Sequence, residues 1–91
     1  MESNERESFL FINLLFSLQM TAMQQLGKLK NPTTDAIERD LEGAQATIDI
    51  LEVLYKKTHN NLDEQEEKLF STILQELKLN YVDEKNKGIT S

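Results

Sequence analysis

The stretch Ala36–Thr58, AIERDLEGAQATIDILEVLYKKT, decides the architecture. Ile37, Leu41, Ala44, Ile48, Leu51, Tyr55 and Thr58 recur at alternating steps of four and three, the spacing that holds one apolar seam on one side of a helix. Ala44 narrows the seam and permits close approach of a neighbour. Ile50, Val53 and Leu54 broaden the apolar surface toward the C-terminal end, so that half is expected to be packed from more than one direction.

Downstream, His59-Asn60-Asn61-Leu62 leaves room only for a tight reversal, and asparagine tolerates the left-handed backbone that ends a helix. A third helix is expected over 64–82. Its stripe is Leu69, Phe70, Ile73, Leu74, Leu77 and Tyr81, the partner surface that an antiparallel hairpin with helix 2 requires. Both hairpin helices open on aspartate followed three residues later by glutamate, Asp35 with Glu38 and Asp63 with Glu66, which fits reciprocal capping. Glu52 stands four residues before Lys56 in the favourable order for a pair along one helix. Upstream, Pro32 marks a linker and Gly27 supplies the left-handed residue that closes a first helix over 8–26.

That first helix carries no charge from Ser8 to Gly27. At about 100° per residue its apolar side chains fill roughly 200° of the circumference, more than a single hairpin covers comfortably. The rest holds Asn13, Ser17, Thr21, Gln24 and Gln25 among Leu10 and Leu14. A face in contact with bulk water in so charged a protein normally carries lysine or glutamate. The expected use of the surplus is a twofold, self-complementary contact with a second copy, through Phe9, Leu10, Phe11, Leu14, Leu15, Leu18 and Ala22. Peripheral association with a membrane through the same helix is the alternative. A spanning helix is disfavoured by the neutral polar residues inside the stretch.

Composition narrows the function. Ninety-one residues give one small domain, and without cysteine there is no disulfide, thiolate site or cysteine nucleophile. Small unstapled domains often gain stability by association. Sixteen acidic against ten basic residues, net −6, oppose general attraction to nucleic acid or anionic lipid. Residues 1–7 hold three glutamates against Arg6, the reverse of a secretory signal, so a cytoplasmic location is expected. Residues 1–7 and 83–91 read as flexible ends around a domain over 8–82, with Ile89 the one apolar residue of the tail. His59, the only imidazole, reads as a turn residue. Glu38 with Glu42 and Glu64 with Glu67 read as solvated face, and Asp49 as a structural partner for a neighbouring basic group. The hydroxyls of Ser17, Ser71 and Thr72 lie within helices, without a histidine or an oxyanion turn beside them. No enzyme, cofactor or metal role is expected.

The series Phe11 to Gly27, Pro32, Asp40-Leu41-Glu42 with Ala44, Ile48-Asp49 with Leu51-Glu52 and Leu54, then Lys57-Thr58, Asn61-Leu62 and Glu66, resembles a bacterial domain-of-unknown-function family, number eighteen forty-four. The resemblance spans Phe9 to Val82, with Asn60 where the family has glycine. It implies a small, soluble, helical bacterial protein with no assigned reaction. The reading at this level is an all-α, three-helix protein-interaction module, a homodimeric scaffold or an accessory subunit of another bacterial protein's complex.

Overall fold

Three α-helices account for most of the chain. The computed structural model describes residues 3–90, and their side chains through residue 87. Readings that rest on Met1, Glu2, Ser91 or the Ile89 side chain fall outside the described residues. The order is α1 (Ser3–Gln25), α2 (Leu41–Thr58), a short 3-10 turn (His59–Asn61) and α3 (Glu64–Thr90). No strand occurs among the described residues; a lone bridge joins Asn31 to Ala36.

Each boundary has a local cause. At the end of α1, Gly27 takes φ +79°, its N–H donates to the Gln24 carbonyl at 3.0 Å, and the Lys28 N–H donates to the Met23 carbonyl at 2.9 Å. This paired bonding at a left-handed glycine is the Schellman closure expected there. The start of α2 differs from the expected one. Asp35 does not cap a helix; it adopts φ +55° inside the turn after Pro32. Glu38, instead of reaching back to a cap amide, accepts from the Thr34 hydroxyl at 2.6 Å and the Asn31 amide at 3.3 Å. The helix begins five residues later, capped by Asp40, whose carboxylate accepts from the Gly43 N–H at 3.0 Å. A Cβ at Gly43 would collide with that carboxylate and with the Gln25 amide, so glycine lets α1 and the cap meet closely. Ile37 consequently precedes the helix and is exposed, and the seam starts at Leu41.

The capping box at α3 is as expected. The Asp63 N–H donates to Glu66 Oε1 at 2.9 Å, and the Glu66 N–H donates to Asp63 Oδ1 at 2.8 Å. The reversal before it needs no left-handed asparagine, because the 3-10 turn completes it; Asp35 is the one non-glycine residue with positive φ among those described.

Leu15, Ala22 and Leu26 of the α1 region, Ala44, Ile48 and Leu51 of α2, and Phe70, Ile73, Leu74 and Leu77 of α3 form the buried core. Phe70 is its largest member and meets Phe11 and Tyr55, with ring centroids 6.0 and 5.1 Å away. Glu52 reaches across to Lys78 on α3 at 2.8 Å, not along its own helix to Lys56. Moving back from Tyr55 through Glu52 on α2 to Arg39 just before it, the partners advance along α3 from Glu67 and Phe70 through Lys78 to Glu84. Of the three residues expected to widen that end of α2, Leu54 packs against the core, whereas Ile50 and Val53 remain more than half exposed.

Helix boundaries at the two ends also differ from the expected 8 and 82. Helix α1 already runs from Ser3, with Glu5 in its first turn where the helix dipole favours an anion. Helix α3 continues past Val82 because the inner stripe does: Glu84 follows Leu77 and Tyr81 at helical spacing and is buried. Lys28 and Lys87 each reach its Oε2 at 2.9 Å, and Arg39 donates to its backbone carbonyl at 2.7 Å. Salt bridges from Lys28 and Lys87 hold the Glu84 carboxyl at about 2, well below the usual carboxylate range. Glu84 in turn raises the Lys87 ammonium, with Asp83 adding to it. The long linker is thereby tied to the far end of α3.

Candidate protein-interaction surface

Because α1 can turn only one stripe toward α2 and α3, its 200° of apolar surface divides in two. Leu15 and Ala22 are fully buried, and Phe11 and Leu18 are half-buried against the same core. These four of the seven expected contact residues hold the monomer together. Leu15 and Ala22, having no exposed surface, cannot belong to an outer contact. Phe9, Leu10 and Leu14 are the expected residues left on the outside.

Phe16 and Met20 join them. All five large side chains are between 43 and 56% exposed. Phe16 and Met20 belong to the apolar arc of α1 but not to the seven expected contact residues; the signal that marks them is the step of seven and eleven from Phe9, which puts all three on one line on the side away from Leu15 and Ala22. Between this line and Leu10–Leu14 lie Asn13 and Ser17, both exposed and uncharged. The Thr21 hydroxyl donates to the Ser17 carbonyl at 3.0 Å, which satisfies it within the helix.

The α1–α2 seam extends this surface. Gln25 Oε1 accepts from the Thr47 hydroxyl at 2.7 Å, and the Asp40 N–H donates to the Gln25 carbonyl at 2.7 Å, which fixes the register of the two helices. Stepping back from Gln25 by helical repeats reaches Thr21, Leu14 and Leu10; stepping forward from Thr47 reaches Ile50 and Leu54. Exposed Ile50 therefore borders the same side of the molecule as Leu10 and Leu14. In contrast, Leu79 and Val82, three residues apart on α3, make only a two-residue apolar exposure with lysine, asparagine and aspartate beside them in sequence, an ordinary surface feature.

The polar groups elsewhere are engaged structurally. His59 stacks on Tyr55 with centroids 5.8 Å apart, and its Nδ1 lies 3.2 Å from the Lys56 carbonyl oxygen. Tyr55 donates its hydroxyl to Glu67 Oε1, and that bond raises the phenol above its ordinary value. Glu67 is thus drawn inward and is not a solvated-face residue; its Oε2 is buried with no hydrogen-bond partner among the described residues. Asp49 accepts from the Gln45 amide of its own helix at 2.9 Å. Among the described residues no group of three or more histidine or acidic side chains is placed to hold a metal ion, and no helix is long and apolar enough to cross a membrane.

The family described as domain of unknown function DUF1844 matches residues 8–84. That span runs from Ser8, where the charge-free stretch of α1 begins, to Glu84, and so includes the outer face, the core and the Lys28–Glu84 tie. No curated protein and no solved structure matches the chain. The chain belongs to the DUF1844 family.

Proposed function

We propose that this member of the family is a protein-interaction module that pairs with a second copy of itself through the outer face of α1, serving as a homodimeric scaffold. In this reading α2 and α3 act as an antiparallel hairpin whose core supports α1 and leaves its far side for association. One observation carries the proposal: Phe9, Leu10, Leu14, Phe16 and Met20 are exposed together on a helix that has no charge from Ser8 to Gly27. Contiguous exposed apolar surface of this kind marks contact sites. Its work is association without catalysis. The one histidine is stacked on Tyr55, and the hydroxyls of Thr21, Thr47 and Thr58 are bonded to nearby carbonyls.

Hydroxyl-radical footprinting across a dilution series tests the proposal. Phe9, Phe16 and Met20 become more reactive as the protein is diluted, whereas Leu79 and Val82 react equally at every concentration. Constant reactivity along α1 would refute it. Vesicles added at the dilute end supply a further readout: protection of α1 by lipid but not by protein concentration favours a membrane surface as the partner.

A further inference from the structure

The midline of the outer face of α1 reads Arg6, Leu10, Asn13, Ser17, Met20 and Gln24, at steps of four, three, four, three and four. Leu10 and Met20 are among the exposed apolar side chains, Arg6, Asn13 and Ser17 are exposed, and Gln24 is half-buried. This series has the same spacing in both directions, with its midpoint at buried Leu15. Reversing the helix about that point exchanges Leu10 with Met20, Asn13 with Ser17 and Arg6 with Gln24. Apolar Leu10 falls on apolar Met20, neutral Asn13 on neutral Ser17, and charged Arg6 on neutral Gln24.

We infer that the second copy docks antiparallel, the two α1 helices crossing near Leu15 about a twofold axis perpendicular to them. The inference rests on the pairing proposed above and adds its geometry. Charge decides between the two orientations. In a parallel, in-register pair, Arg6 would face Arg6 of the second copy, and the Glu5 and Glu7 ends would lie together. Like charges placed opposite each other oppose association. In the antiparallel pair the Arg6 guanidinium meets the Gln24 side chain of the second copy, whose carbonyl oxygen accepts hydrogen bonds. The Glu5–Glu7 end of each helix then approaches the end of the other that exposed Lys30 follows, Lys28 there being held already by Glu84. The helix dipoles also run in opposition, placing each positive N-terminus near a negative C-terminus. At the crossing point the Asn13 amide donates to the Ser17 hydroxyl oxygen of the second copy. To either side of it the Leu14 edge of one helix runs along the Leu14 edge of the other and Phe16 along Phe16, while Leu10 and Met20 approach across the midline, so that the large exposed side chains are covered.

Nitroxide labels resolve the orientation, because the chain has no cysteine of its own to interfere. Ser17→Cys and Gln24→Cys are labelled separately, and the mass of each labelled protein is checked by light scattering. With about 1.5 Å rise per residue, the antiparallel pair sets the two Ser17 labels roughly 6 Å apart along the axis and the two Gln24 labels roughly 27 Å apart. Strong spin–spin broadening at position 17 and a long dipolar distance at position 24 is the expected result. Equally short distances at both positions in a confirmed dimer would overturn the antiparallel arrangement and leave the pairing standing. A monomeric mass for both labelled proteins and for the unlabelled chain would overturn the pairing, and this arrangement with it.

Discussion

Replacing Leu14 by glutamate separates the contact surface from the core that supports it. Leu14 is 46% exposed, so about half of its surface is already packed within the monomer. Full burial of a leucine side chain contributes about 1.5–3 kcal/mol, which leaves roughly 1 kcal/mol per copy to be gained on association. A twofold contact contains the position twice, so the apolar loss is roughly 2 kcal/mol. Bringing the two new carboxylates into the contact adds a desolvation cost of about 1 kcal/mol in total. The sum, roughly 3 kcal/mol, corresponds to about a hundredfold weaker dissociation constant. The monomer itself is affected little: the position is exposed, glutamate forms helix about as well as leucine, and surface changes of this type usually stay within about 0.5 kcal/mol. Analytical ultracentrifugation gives the association constant and circular dichroism the helix content. Leu79→Gln is the comparison, since Leu79 is 72% exposed on α3 and far from the proposed contact. The expected outcome is a large loss of association in Leu14→Glu, none in Leu79→Gln, and unchanged helicity in both. An unaltered dissociation constant in Leu14→Glu would refute the placement of the contact on α1.

Three further predictions concern the scaffold. Asp63→Ala removes one half of the reciprocal cap of α3 and should cost about 1 kcal/mol of unfolding free energy in a denaturant titration. Gly27→Ala finds ordinary packing space, its nearest neighbour being the Arg39 Cβ at 3.5 Å, but must hold φ +79°; a loss of about 1–2 kcal/mol in the same titration is expected from backbone strain alone. The Glu84 carboxyl, lowered from 4.5 to about 2 in the folded protein, makes stability depend on pH in a defined direction. Its contribution is complete above the unfolded value and is lost as pH falls from about 4.5 toward 2. The chain should therefore weaken steadily over that interval, and Glu84→Gln should show a shallower decline across it.

How much of this was legible in the sequence depended on whether a signal was local or required a neighbour. The three helices, the Gly27 closure and the Asp63–Glu66 cap could be read directly, because each rests on bonds within a few residues. Among the described residues, every buried one of α3 except Glu84 lies on the stripe that spacing identifies. The start of α2 was misread because Asp35-x-x-Glu38 and Asp40-x-x-Gly43 are both capable of capping in isolation. Tertiary contacts chose the second: the Asp40 N–H bonds to the Gln25 carbonyl, while Asn31 and Thr34 engage Glu38. The extent of α3 was hidden for a related reason, since the residues that hold Glu84, namely Lys28 and Arg39, lie in a distant linker. On α1, composition announced too much apolar surface but could not say which arc turns inward. Packing against α2 and α3 resolved that, assigning Leu15 and Ala22 to the core and leaving Phe16 and Met20 outside with Phe9, Leu10 and Leu14.

Pairing of two copies through the outer face of α1 is tested most directly by the mass in solution. Sedimentation equilibrium of the unaltered protein through the micromolar range should give twice the 10.5 kDa of the single chain, falling toward 10.5 kDa on dilution. A mass of 10.5 kDa at every concentration, from a protein that still melts cooperatively, would contradict the account.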